Sequence, residues 1–238
     1  MPAPALEVTM KILAIGAHPD DIEIFVYGTL AACAARGDEI KIAVATDGAA
    51  GGSGPANKLA QKRASETTKG LAKLGRPHLL GFPDGGLASQ PDARKIIANL
   101  VSDFHPDAVI THAPEDYHPD HRALSRFVED ATGFICPLFF ADTLMGISFT
   151  PELYVDITSH HIDKQAAIMA HDSQFPERFA DCAALQNRFR AAQCNAPDGH
   201  YAEAFRVFRR FPFADAGSIL PAAPPRRPFY IPGSDAFI

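Results

Sequence analysis

The sequence predicts an α/β fold, a mainly parallel sheet with helices packed on both faces. Three observations carry that prediction. Short apolar runs without a polar break recur, as at 12–15 (ILAI), and such runs suit strands covered on both sides. Longer stretches with helical spacing separate them, giving a β-α-β-α rhythm. Two of the predicted strands stop in nearly the same tetrapeptide, His-Pro-Asp-Asp at 18–21 and His-Pro-Asp-His at 118–121, and a helical pattern follows each. Open α/β sheets bind ligands in loops at the carboxyl ends of parallel strands.

In chain order, residues 12–15 form the first strand, and Gly16 and Ala17 leave room for close approach at its end. Asp20 or Asp21 suits the cap of a helix expected over 22–35, which Gly37 ends. Capping accounts for one carboxylate, not for a histidine, two adjacent acids and a glutamate. Residues 39–45 read as the second strand. The stretch 49–55 (AAGGSGP) reads as a flap, since neither GK[ST] nor GxGxxG is present for a phosphate. A helix over 57–74 sets Arg63 and Glu66 one turn apart, on its own terms an exposed ion pair of little consequence.

A third strand is expected at 77–82, then a turn at Pro83-Asp84-Gly85-Gly86 and a helix over 92–104 capped near Asp92. Residues 107–111 form the fourth strand and lead to the second His-Pro-Asp turn; 121–132 is helical and 138–143 a fifth strand. Right-handed crossovers then put both turns on one edge of the sheet. Beyond 149 the rhythm changes: a strand at 153–157, helices at 162–170 and 178–194, and a stretch at 201–208 that fits either strand or helix. The chain divides into a loose tail at 1–9, one domain at 10–210 and a Pro/Gly-rich arm at 211–238 suited to packing on a neighbouring subunit. Met10 also reads as an alternative start.

Composition narrows the function. A net charge of −6 and no basic run argue against nucleic acid as a partner. No apolar stretch approaches the ~20 residues of a membrane helix, and the amino terminus lacks a signal-peptide pattern. The four cysteines have no CxxC spacing and read as reduced thiols of a cytoplasmic protein.

His and Asp are the mixed nitrogen and oxygen donors that suit zinc at a catalytic site, with three ligands and one open position. Spacing alone does not separate Asp20 from Asp21, or His118 from His121. The stretches Ala17-His-Pro-Asp-Asp-Ile-Glu23 and His118-Pro-Asp-His121 resemble the two signatures of the LmbE-like or PIG-L-type zinc deacetylases, typified by N-acetylglucosaminyl deacetylases. Weaker similarities extend over about 10–208: Arg63-Ala-Ser-Glu66, Leu74-Gly75, Gly81-Phe-Pro-Asp84-Gly, Ser173-Gln174 and Tyr201-Ala-Glu-Ala-Phe205.

The resemblance implies a Rossmann-like three-layer α/β/α fold and hydrolysis of the N-acetyl group of an N-acetylglucosamine-type substrate. It implies His18, Asp21 and His121 as ligands of Zn2+, with Fe2+ or another divalent ion as substitute. Asp20 would be the general base toward a metal-activated water, and His118, if protonated, would stabilise the oxyanion and protonate the leaving amine. Asp120 would orient a histidine. Arg63 and Asp84 would bind the sugar, with Arg63 alternatively supporting the metal site; Asp47 and Tyr117 are candidates by location. The partner is then a small amino sugar, and the protein a homo-oligomer. His112, near a strand end, and His171, in Ala-His-Asp-Ser-Gln-Phe, are placed where they could approach the site but stay outside the proposed set; the other histidines and Phe139, Phe140, Phe205 and Phe208 read as surface or packing residues. Two rivals remain: an amidase acting on a larger thiol-sugar conjugate, which a roomy acyl side would favour, and a binding module without catalysis.

Overall fold

The computed structural model describes residues 9–228. Strands β1 (Lys11–Gly16), β2 (Glu39–Thr46), β3 (His78–Phe82), β4 (Ala108–His112) and β5 (Leu138–Ala141) run parallel. With β6 (Leu153–Asp156) and β7 (Ala202–Val207) they form one sheet in the order β3-β2-β1-β4-β5-β7-β6, where β7 is antiparallel to both of its neighbours.

The apolar strands serve both faces by simple alternation. Ile12, Ala14, Ala108, Ile110, Phe139 and Ala141 pack beneath α1 (Asp21–Phe25), α2 (Tyr27–Ala35) and α6 (His161–Ile168). Leu13, Ile15, Val109, Leu138 and Phe140 pack beneath α4 (Ala93–Phe104) and α5 (Pro119–Thr132). Helices α3 (Ala56–Gly70) and α7 (Pro176–Gln193) lie against α6 in the first layer. This is the three-layer fold expected. From β1 the chain runs outward to β3, then returns to the other side of β1 as β4. The ends of β1 and β4 therefore open side by side at the point where strand order reverses.

Several local expectations need correction. The helix expected over 22–35 is two helices, broken at Val26 (φ −137°). The break frees the amides of Gly28 and Thr29, which donate to the buried Glu203 carboxylate at 2.9 and 2.8 Å. Neither Asp20 nor Asp92 caps its helix through its side chain. Helix α5 starts at Pro119, earlier than expected, because proline suits a first helical position and His118 caps it. Residues 202–207 are strand. Residues 211–228, the described part of the arm, fold back on their own chain: the Asp156 amide donates to Ala222 O (2.9 Å), and Leu220 is buried. Residues 1–8 of the expected tail and 229–238 of the arm lie outside the described residues. Among the described residues no helix is long and apolar enough to cross a membrane.

Candidate active site

The end of β1 sits under the start of α1 so closely that a Cβ at Gly16 would meet the Asp21 Cβ at 3.1 Å. That approach brings His18 and Asp21 against His121, which α5 delivers from the end of β4. His18 Nδ1 lies 3.1 Å from His121 Nε2 and 3.4 Å from Asp21 Oδ2, and His121 Nε2 lies 3.4 Å from the same oxygen. Donors at ~2.0–2.1 Å from a tetrahedral ion stand ~3.3–3.4 Å apart. The three residues thus form a nearly equilateral triangle of the size a metal ion requires, all of them buried.

The surroundings suit a cation. His121 Nδ1, on the far side of its ring, is 3.0 Å from Asp116 Oδ2. His18 Nε2 is 3.2 Å from Asp84 Oδ1 and 3.5 Å from Asp120 Oδ2. Carboxylates placed behind histidine ligands in this way fix the tautomer and ring orientation. Burial opposes a charge on His18, but the carboxylates of Asp120, Asp21 and Asp84 outweigh it and push the ring up to about 12; His121 rises to about 9 against its burial through Asp21 and Asp116. Positive charge is strongly favoured between these carboxylates, and a divalent ion could supply it. Asp21 is held from two further sides: the His18 amide donates to its Oδ2 at 2.6 Å, and His112 Nε2 stands 3.0 Å away. The His112 ring also stacks on His121, with centroids 3.7 Å apart.

Asp20 stands beside the triangle in a left-handed backbone conformation (φ 131°), unusual for a residue with a side chain. Arg63 Nη2 donates to its carboxylate at 2.9 Å and to Pro19 O at 2.7 Å, while Nη1 donates to Gly48 O. Burial pushes the Asp20 carboxyl up to about 6, against the pull of Arg63. A carboxylate near neutrality suits proton transfer at physiological pH. Arg63 and Glu66 are not the exposed pair their spacing suggests. Both are buried; Arg63 holds Asp20, and Glu66 bonds to Ser173.

His118 packs edge-on against His18 at 4.5 Å, and its Nδ1 accepts the Asp120 amide. The ring's proton is then on Nε2, which leaves a neutral donor rather than an imidazolium. The Asp120 carboxylate accepts from the amides of Gly85 and Leu87 at 2.7 and 3.1 Å, tying the second turn to the loop that carries Asp84. His18, Asp20, Asp21, His118 and His121 border a cavity of about 310 Å³, whose lining also includes the apolar Ile24, Phe25, Leu144 and Phe179 and the loop residues Ala50, Gly51, Asp84 and Gln174. Tyr117 lies on its rim, 55% exposed. Asp47 does not line it; its Oδ1 accepts the amides of Ala49 and Asp84.

Sequence reasoning left out Asp116, His112 and His171, all buried here. Asp116 had a positional signal, two residues before the second turn, and His112 ends β4. His171 supports the site from behind: its Nε2 lies 2.8 Å from Glu23 Oε1, which also accepts from Thr67 Oγ1. Burial lowers the His171 pKa, but Glu23 outweighs it and raises the ring above its ordinary value of 6.5. The stability this pair adds is therefore complete below ~6.5 and fades as pH rises through the raised folded-state pKa. Denaturant unfolding of His171→Gln against the unsubstituted protein is expected to show a larger loss at pH 6 than at pH 9; equal losses would place the pair's contribution outside its charge.

The GlcNAc-PI de-N-acetylase (PIG-L) family description matches residues 13–132. Diacetylchitobiose deacetylase of Thermococcus kodakarensis is 30% identical over 219 residues, 82% of each chain. The structure of N,N'-diacetylchitobiose deacetylase from Pyrococcus horikoshii superposes with a TM-score of 0.75 at 24% identity, over 86% of this chain and 87% of that one. The 4-carboxy-2-hydroxymuconate hydratase of Pseudomonas putida KT2440 superposes nearly as well, with a TM-score of 0.74 at 20% identity over 85% and 97%. The architecture therefore hosts more than one chemistry, and function has to be argued from the site.

Proposed function

The chain belongs to the GlcNAc-PI de-N-acetylase (PIG-L) family, and from that premise we propose that it is a metal-dependent deacetylase acting on an N-acetylglucosamine-type amino sugar or glycoconjugate. The observation that carries this reading is the donor triangle of His18, Asp21 and His121 with the buried Asp20 carboxylate beside it.

His18, Asp21 and His121 would hold the ion, and zinc is the ion that this nitrogen and oxygen set suits best, with Fe2+ a substitute. Once bound, such an ion would supply Lewis-acid activation of a water and of the acyl oxygen. Asp20 accepts the proton of the attacking water, with Arg63 fixing its carboxylate. His118 donates a hydrogen bond from Nε2 to the oxygen that gains charge as the acyl carbon becomes tetrahedral. As the C–N bond breaks, Asp20 returns the proton to the departing nitrogen, and the proton of the new carboxyl group passes to the same amine, so acetate and the amino sugar as its ammonium form leave with atoms and charge balanced. Asp84 and Arg63 are both engaged, Asp84 Oδ2 by the Ala50 amide and Arg63 by Asp20, so their contact with the sugar is secondary to shaping its pocket. Four free cysteines accord with a reducing, cytoplasmic setting.

Primary-amine release from a panel of N-acetylglucosamine derivatives tests the reading. Metal-loaded protein is expected to turn over at least one of them. Chelation should abolish the activity and added zinc restore it, while His121→Ala should lose both bound metal and turnover. A metal-loaded protein that releases amine only from bulkier amides would favour the amidase reading.

A further inference from the structure

Two sequence stretches with no part in the chemistry above meet beside the cavity. Glu66, 7% exposed, accepts the Ser173 amide at 2.9 Å through Oε1 and the Ser173 hydroxyl at 2.5 Å through Oε2. Both oxygens of one buried carboxylate are thus engaged by one residue. His171, at the head of the same turn, is fixed on Glu23. The short turn Asp172–Gln174 is therefore pinned twice, and the chain leaves it through Phe175 in the left-handed region (φ 52°), an unusual conformation for a bulky residue.

What this anchoring delivers is the Gln174 carboxamide, part of the cavity lining. Its Nε2 donates to Ser173 O and Oγ at 2.9 and 3.1 Å, which fixes the amide's orientation and leaves Oε1 as an acceptor. The flap passes close by: a Cβ on Gly51 would stand 3.2 Å from that Oε1 and 2.4 Å from Arg63 Nη1. Among the polar groups bordering the cavity away from the donor triangle, Arg63 is engaged by Asp20 and two carbonyls. Asp84 is engaged by the Ala50 amide and faces His18. Tyr117 lies on the exposed rim. Gln174 Oε1 is an acceptor that is held in place and, among the described residues, without a protein donor.

We infer that Gln174 is a specificity-determining residue whose Oε1 accepts a hydrogen bond from one ring hydroxyl of the amino sugar, and that Glu66 and Ser173 are positioning residues for it. The inference rests on the deacetylase reading and adds to it the group that reads the sugar. A uniform hydrogen bond to substrate appears in KM, not in kcat.

The test is amine release by metal-loaded enzyme from an N-acetylglucosamine glycoside and its 3-, 4- and 6-deoxy analogues. Gln174→Ala is expected to raise KM about tenfold on the parent sugar, with kcat within about twofold and melting temperature unchanged. On the one deoxy analogue lacking the partner hydroxyl, the variant and the unsubstituted enzyme should agree within about twofold. Ser173→Ala should raise KM similarly and add little to Gln174→Ala in the double variant. A Gln174→Ala loss equal on every analogue, or no loss on any, overturns the inference while leaving the deacetylase reading intact. Absence of turnover by the unsubstituted enzyme on every amino sugar overturns that reading, and the inference falls with it.

Discussion

Asp20→Asn is expected to lower deacetylation about a thousandfold while bound metal stays at the level of the unsubstituted protein. The two halves of that expectation come from different atoms. The donor triangle uses Asp21 Oδ2, whereas Asp20 points to Arg63. Asparagine keeps an oxygen to accept from Arg63, and the guanidinium retains Pro19 O and Gly48 O, so the buried cation stays solvated by the protein. What asparagine cannot do is take a proton. A general base contributes roughly 10²–10⁴ to a rate, about 3–5 kcal/mol of barrier. Single-turnover amine release together with metal content by mass spectrometry separates the outcomes. A variant that keeps a tenth of the rate would remove Asp20 from the role of base; one that loses its metal would make Asp20 part of the cage.

The second large effect lies away from the cavity. Lys164 and Glu203 form an ion pair at 2.7 Å with side chains 0% and 1% exposed. Glu203 also receives the Gly28 and Thr29 amides at the break between α1 and α2, so the carboxylate is held from three sides. Lys164→Met removes the only full positive charge among those partners and leaves a buried anion with two amide donors. Breaking such a pair from one side destabilises by about 3–5 kcal/mol, far above what an exposed pair such as Lys73 with Asp163 contributes. Chemical denaturation of Lys164→Met should show the loss, and Lys73→Met serves as the comparison, expected within about 1 kcal/mol of the unsubstituted protein. Equal effects from the two would mean that the backbone donors alone carry Glu203.

The sheet and the two turns that carry His18, Asp21 and His121 were legible because their signals are local. An unbroken apolar run names a buried strand, and a histidine, a proline and an aspartate in succession name an unusual turn wherever the fold puts them. That residues 202–207 form a strand was not legible, since the stretch 201–208 fits either strand or helix and only pairing with β5 and β6 decides. The break at Val26 was equally hidden, because Glu203, which takes up the amides freed there, is distant in sequence. The same limit applied to the site. His18, Asp21 and His121 stand in their motifs, but Asp116 behind His121 and His112 beside Asp21 are ordinary strand and loop residues until the chain closes on them. Arg63 and Glu66 show it most plainly: one helical turn apart, they bond to Asp20 and to Ser173 instead of to each other.

The order of the sheet bears on how copies of this chain can meet. An uncovered edge strand invites another strand to add to it, a route to uncontrolled aggregation. Here β6 is overlaid by the returning segment, whose Ala222 carbonyl takes the Asp156 amide. The opposite edge, β3, has only five residues between Pro77 and Pro83, carries Gly81 in a left-handed conformation (φ 71°) and joins β2 through an irregular register. Neither margin offers a long, flat template. Any homo-oligomer is therefore expected to assemble through helix and loop faces, leaving each sheet a closed unit with the mouth of its cavity at the other end of the strands from their amino termini.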